Sequence, residues 1–127
     1  MRTAGKPTLL LVLLALAAGC GDKEQPPDNT SGNFACKTSN STGDPVCIDE
    51  QWEGGVYDTS DWQMSCTDGH GTGTLGQKCD HTGAVGGCQK VTYAGGIVLT
   101  VTYWYFVGRA AEIKPGCEAI QGIWIAP

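Results

Sequence analysis

The chain has 127 residues, with 8 basic against 13 acidic side chains, a formal net charge of -5, 41% hydrophobic residues, 19 glycines and seven cysteines. That acidic balance excludes nucleic acid as a partner, because neutralising phosphates takes clustered Lys and Arg. The length allows one small domain whose core would benefit from covalent staples.

Arg2 and Lys6 precede ten apolar residues, Leu9 to Ala18, and small residues follow. This is the layout of a secretory signal. Spanning a bilayer as a helix takes about 20 apolar residues, so the run is too short and residues 1–19 are expected to be a removed signal peptide. Leu16-Ala17-Ala18-Gly19-Cys20 resembles the lipobox of bacterial lipoproteins, with Ala17 standing where that family commonly has Leu. The resemblance implies a diacylglyceryl group on Cys20, which becomes the first residue of the mature chain. Cleavage after Ala15-Leu16-Ala17 is the competing reading. One acyl chain anchors only marginally and two anchor stably, so a lipidated Cys20 attaches the protein to a membrane without any membrane-binding surface. Gly21 rather than Asp after the cysteine favours the outer membrane over the inner one in the sorting pattern of such lipoproteins.

Residues 21–33, GDKEQPPDNTSGN, contain no large apolar side chain and have the composition of a tether. Residues 20–33 are therefore read as lipidated cysteine and linker, and 34–127 as one domain. Setting Cys20 aside leaves Cys36, Cys47, Cys66, Cys79, Cys88 and Cys117, an even number that reads as disulfides in an oxidising compartment. The sequence does not choose among the connectivities. The pattern preferred is Cys36 with Cys47, Cys79 with Cys88, and Cys66 with Cys117: two local loops and one long staple.

After cleavage the chain would carry 6 basic against 13 acidic residues. Asp44, Asp49, Glu50, Glu53, Asp58, Asp61 and Asp68 fall between Lys37 and Lys78 with no basic residue among them. No calcium-loop spacing occurs there, so they read as a solvated acidic face.

Residues 88–107, CQKVTYAGGIVLTVTYWYFV, predict a β-hairpin. A three-residue loop of Ala94, Gly95 and Gly96 would pair Tyr93 with Ile97 and Val91 with Leu99, keeping apolar residues on one face. The other face carries Trp104 and Phe106, expected to be buried; if exposed, and joined by Trp52 or Trp62, they are a candidate surface for stacking sugars.

Residues 108–121, GRAAEIKPGCEAIQ, favour helix, with Pro115 expected to separate two short helices and Gly122 beyond the end. Ile123 to Ile125 reads as a last strand. Cys117-x4-Gly122-x-Trp124 echoes Cys66-x4-Gly71-x-Gly73 in spacing, a hint of two related corners rather than of a repeat. The fold expected is mostly β, a small disulfide-stapled antiparallel sheet, with one or two short helices near the C-terminus.

Cys66, Gly71 to Leu75, Cys79, Val85-Gly86-Gly87-Cys88, Thr100 to Tyr105, and Cys117 with Gly122-Ile123-Trp124 are similar to elements of small Cys/Gly-rich lipoproteins of myxobacterial type. The likeness covers about the last half of the chain and implies a stapled surface domain without an assigned activity.

No catalytic constellation stands out: there is no G-x-S-x-G, and no serine is distinguished by a nearby base. His70 and His81 lie in Gly-rich loops, and a zinc reading with Cys79 or Cys66 competes with disulfide pairing. Neither cofactor nor metal is expected. The expectation is a monomeric, non-enzymatic, lipid-anchored binding or structural protein of the bacterial envelope, meeting an envelope protein or polysaccharide. A carbohydrate-binding or adhesion module is the second reading, and a small hydrolase or protease inhibitor the third.

Overall fold

The computed structural model describes residues 30–127. The signal segment, the lipobox, Cys20 and most of the tether lie outside the described residues. Eight elements follow in order: β1 (Ser31–Ser39), β2 (Pro45–Glu53), α1 (Ser60–Asp68), β3 (Thr72–Leu75), β4 (Gly86–Ala94), β5 (Ile97–Tyr105), α2 (Ala110–Ala119) and β6 (Ile123–Ile125). They form one six-stranded antiparallel sheet of order β3-β1-β2-β5-β4-β6 with two short helices. The expected mostly β, disulfide-stapled class is what the chain adopts. Ser31, Gly32 and Asn33, assigned to the tether by composition, are strand, paired with Glu53, Trp52 and Gln51. The edges are the shortest strands, β3 and β6, which limits the unpaired backbone open to another chain.

The order reads the same from either edge because the chain lays down one unit twice: a hairpin, a helix, then an edge strand pairing with the hairpin's first strand. Cys36 on β1 lies between Ile48 and Gly73, and Cys88 on β4 between Tyr103 and Trp124. The units meet along β2 and β5, where Ile48 pairs with Tyr103, the residue that corresponds to it. The register therefore puts a pseudo-twofold axis through that pair. The spacing echo in the sequence marks the same corner in both units, and it belongs to a full repeat of topology. Each helix ends in a left-handed residue, His70 or Gln121, followed by a glycine whose N–H donates to the helical cysteine's carbonyl: Gly71 to Cys66 at 2.7 Å and Gly122 to Cys117 at 2.9 Å. A Cβ on Gly122 would sit 2.7 Å from both sulfurs of the disulfide below it, so only glycine lets the chain turn so tightly there.

The disulfides are Cys36–Cys66, Cys47–Cys79 and Cys88–Cys117, which corrects the expected pairing. Cys47 is paired across the sheet with Lys37, so Cys36 and Cys47 point to opposite faces and cannot meet. Cys79 belongs to the loop on the Cys47 face, away from Cys88. Cys66 and Cys117 belong to different units, each tied to its own first strand. Two equivalent disulfides hold α1 and α2 on one face; the third holds the β3–β4 loop on the other. Each spans about 30 residues, worth about 3 to 4 kcal/mol in the loop-entropy account.

Two further expectations are corrected. The β4–β5 turn is the two-residue Gly95-Gly96, both at positive φ, pairing Ala94 with Ile97 and Thr92 with Leu99. Two consecutive glycines supply the two positive φ values of a type I′ turn, and that geometry outweighs apolar matching: Tyr93 is left 77% exposed. Pro115 does not divide the C-terminal helix; α2 runs through it. α1, in contrast, was not expected. Neither helix has an apolar stripe, since each buries one residue, Cys66 or Cys117, and it is the disulfide that fixes each to the sheet.

The core is correspondingly split. On the helix side Phe34, Cys36, Trp52 and Cys66 cluster, with Ile48, Tyr57, Trp62, Ile97 and Leu99 against them. On the loop side Ala35, Cys47, Cys79, Ala84 and Trp104 pack with Phe106 and Ile125.

Candidate functional site

Glu50 sits in β2 across from Phe34 of β1 and Val101 of β5, with its side chain on the helix face. It is 1% exposed, and neither carboxylate oxygen has a hydrogen-bond partner. This departs from the rule that buried charges are paired. The turn after β2 and helix α1 close over it. Asp58 Oδ1 accepts the backbone N–H and the hydroxyl of Ser60, starting the helix, and Thr59 Oγ1 accepts from Gln63 Nε2 at 2.7 Å. That start places Trp62 on the sheet side, where its Nε1 donates to the Tyr57 hydroxyl at 2.6 Å, while Tyr57 packs its ring 5.5 Å from that of Trp52.

Beside the carboxylate is a cavity of about 80 Å³ lined by Phe34, Cys36, Ile48, Glu50, Trp62, Ser65 and Cys66. Apart from Glu50 and Ser65 the wall is aromatic, aliphatic or disulfide sulfur. Burial is the main cause that pushes the Glu50 carboxyl up to about 7, with the nearby Tyr57 hydroxyl pulling partly the other way. Burial, together with Glu50, pushes the Tyr57 phenol up to about 12. A carboxyl poised near neutrality in a small, mostly apolar chamber can hold or release a proton, or bind a cation.

The second unit has a counterpart. Cys88, Tyr103 and Tyr105, equivalent by register to Cys36, Ile48 and Glu50, line a depression of about 390 Å³ together with Lys90 and Ile120. Tyr105 stands in place of the acid and its ring stacks on Trp124 at 6.4 Å. The fold therefore accepts a neutral aromatic at this point of the repeat.

The sequence's own candidates are dispersed. Trp104, on the loop side, is 8% exposed; its Nε1 donates to Asp49 Oδ2 at 2.9 Å and His81 stacks on it at 4.2 Å. Trp52, 5% exposed, is core on the helix side, where the half-buried Trp62 covers the Glu50 cavity. The four aromatics thus do not form one surface. Phe106 alone faces an open groove, of about 570 Å³, shared with Lys37, His70 and Asp80 among others. Cys66 and Cys79 are in disulfides, and no group of three or more His, Cys, Asp or Glu able to hold a metal occurs among the described residues. Cys20 lies outside the described residues. Sequence reasoning counted Glu50 among seven surface acids; the signal that could have singled it out is its place in Val46 to Trp52, where Val46, Ile48 and Trp52 alternate with period two and Glu50 falls on the same face.

No family model matches the chain, and neither a curated protein nor a solved structure is significantly similar to it.

Proposed function

We propose that this chain is a lipid-anchored extracytoplasmic binding domain of the bacterial envelope, held to the membrane by acyl chains on Cys20. The observation that carries the reading is the pairing of the other six cysteines within the domain, which leaves Cys20 as the seventh. Three disulfides suit an oxidising compartment. The short apolar segment before Cys20 supplies export, and the lipobox-like residues supply attachment. Among the described residues no helix is long and apolar enough to cross a membrane; in this reading the anchoring is the work of the lipid. Gly21 favours the outer membrane as the destination.

Binding is favoured over a purely structural role by the Glu50 cavity, since a scaffold has no use for a buried carboxyl without a partner. The test is the intact mass of the protein purified from membranes. A mature chain that begins at Cys20, carries a diacylglyceryl adduct and lacks six hydrogens supports the reading. A chain that begins at Ala18 with no adduct overturns it.

A further inference from the structure

The cavity beneath α1 has at one end a buried carboxylate whose oxygens accept no well-formed hydrogen bond, and a wall that is apolar apart from the Ser65 hydroxyl. We propose that it is a binding site for a one- or two-carbon primary ammonium ion, whose N–H groups satisfy the Glu50 carboxylate and whose carbons lie against Phe34, Ile48 and Trp62. The proposal rests on three observations. First, both Glu50 oxygens are buried and unpartnered, and leaving such a group unsatisfied costs several kcal/mol, so the ground state calls for a donor. Second, the cavity of about 80 Å³ exceeds the roughly 10 to 15 Å³ that a single water requires, and beyond Glu50 and Ser65 its lining is apolar, which suits an ion with a carbon end better than a cluster of waters. An ammonium ion brings several donors to one acceptor group, and a lining that includes the aromatic rings of Phe34 and Trp62 suits a cation. Third, the corresponding place in the second unit holds Tyr105, so the fold does not demand an acid there.

The chemistry also sets the competitor. A proton neutralises the same carboxylate, so ligand and proton exclude each other, and affinity follows the ionised fraction of Glu50. The inference stands apart from the question of lipidation, because a protein cleaved elsewhere would have the same cavity.

The experiment is a titration of the mature full-length protein, in non-ionic detergent, with methylammonium and ethylammonium chloride, followed by calorimetry and by tryptophan fluorescence, to which Trp62 contributes directly. Sodium chloride at equal ionic strength, methanol and tetramethylammonium chloride serve as controls. The expected result is a saturable response to both primary amines that weakens about tenfold between pH 8 and pH 6, as the competent fraction of a carboxyl near 7 falls. The response should vanish in Glu50→Gln and be weaker for tetramethylammonium, which has no N–H. An absent or non-saturable response overturns the proposal, as does one that is independent of pH, matched by methanol or sodium, or retained in Glu50→Gln. Equal or tighter binding of tetramethylammonium also overturns it. Should Glu50→Gln fail to fold, the pH series on the unaltered protein decides alone.

Discussion

Asp49 and Glu50 are consecutive on β2 and bury their carboxylates on opposite faces of the sheet, one with a hydrogen bond to each oxygen and one with no well-formed hydrogen bond. Asp49 accepts the Cys79 N–H at 2.5 Å and the Trp104 indole N–H at 2.9 Å, tying the β3–β4 loop and the loop-side core to the sheet. Glu50 accepts no hydrogen bond of normal geometry, and only the Tyr57 hydroxyl lies near enough to stabilise its charge. The period of two along a strand makes this divergence, since neighbouring residues must face different surroundings. Asp49 is part of how the domain stands, and Glu50 is the group left over.

The contrast predicts the cost of losing the bonded acid. Asp49→Ala leaves two buried donors without acceptors, for a loss of about 2 to 4 kcal/mol. It should also loosen the stacking of His81 on Trp104 while the Cys47–Cys79 disulfide still holds the loop, changing the near-ultraviolet circular dichroism of the indole. Denaturant titration reads the first effect. A midpoint unchanged from the parent would mean that water or another group replaces the carboxylate.

Glu50 predicts a pH dependence of opposite sign to that of a salt-bridged acid. Its folded value of about 7 lies above the 4.5 of the free group. Between those two values the folded chain keeps a proton that the unfolded chain has lost, so stability falls as pH rises through the window and levels off above it. The fall attributable to this group is roughly 2 to 3 kcal/mol. Glu50→Gln, which cannot ionise, should remove that slope when unfolding free energy is measured from pH 4.5 to 8. An identical slope in the variant would assign the dependence to other carboxyls.

The repeat predicts a pair of complementary defects. In the first unit the ring of Phe34, two residues before Cys36, lies over Gly73, where a Cβ would come within 2.5 Å of Cζ. In the second unit the large and small partners are exchanged: Gly86, two residues before Cys88, lies under the ring of Trp124, which occupies the place of Gly73. Gly73→Ala and Gly86→Ala should each destabilise by about 1 to 3 kcal/mol through overpacking. Gly73→Ala should be partly rescued by Phe34→Leu, and Gly86→Ala less completely by Trp124→Leu, because Gly86 also has a φ of 157°. Strict additivity in both double variants would show that ring and glycine do not interact.

What the sequence disclosed and what it hid follow from the range of the interactions. Local patterns were legible: the β4–β5 hairpin, the final strand at Ile123–Ile125 and the matching corners at Cys66 and Cys117 can all be seen within a few residues. The register of that hairpin was not, because two readings of Ala94-Gly95-Gly96 each satisfied one local rule, and only the chain's own turn geometry decides between them. Helix α1 was illegible because it shows no apolar period; its one buried residue is the half-cystine that holds it. Disulfide connectivity depends on which face each cysteine takes, so it becomes readable only after the strands are aligned. Glu50 was obscured by its six acidic neighbours, since charge counting does not distinguish a side chain under a helix from one in water.

Because α1 buries only Cys66, its attachment should depend on one bond. Removing both sulfurs in Cys36→Ala/Cys66→Ala should cost about 3 to 4 kcal/mol from loop entropy, and the loss should be local before it is global. The amides of Ser60–Asp68 should exchange with solvent far faster than in the parent, while those of β2 and β5, paired along the centre of the sheet, remain protected. Release of the helix also lifts Trp62 from Glu50, so the carboxyl should titrate closer to its ordinary value in this variant. Hydrogen exchange read peptide by peptide checks the first consequence and the pH dependence of unfolding the second. If α1 kept its parental protection without the disulfide, the contacts of Trp62 and Tyr57 would be sufficient to hold it, and the cavity over Glu50 would be formed by packing instead of by the covalent tie.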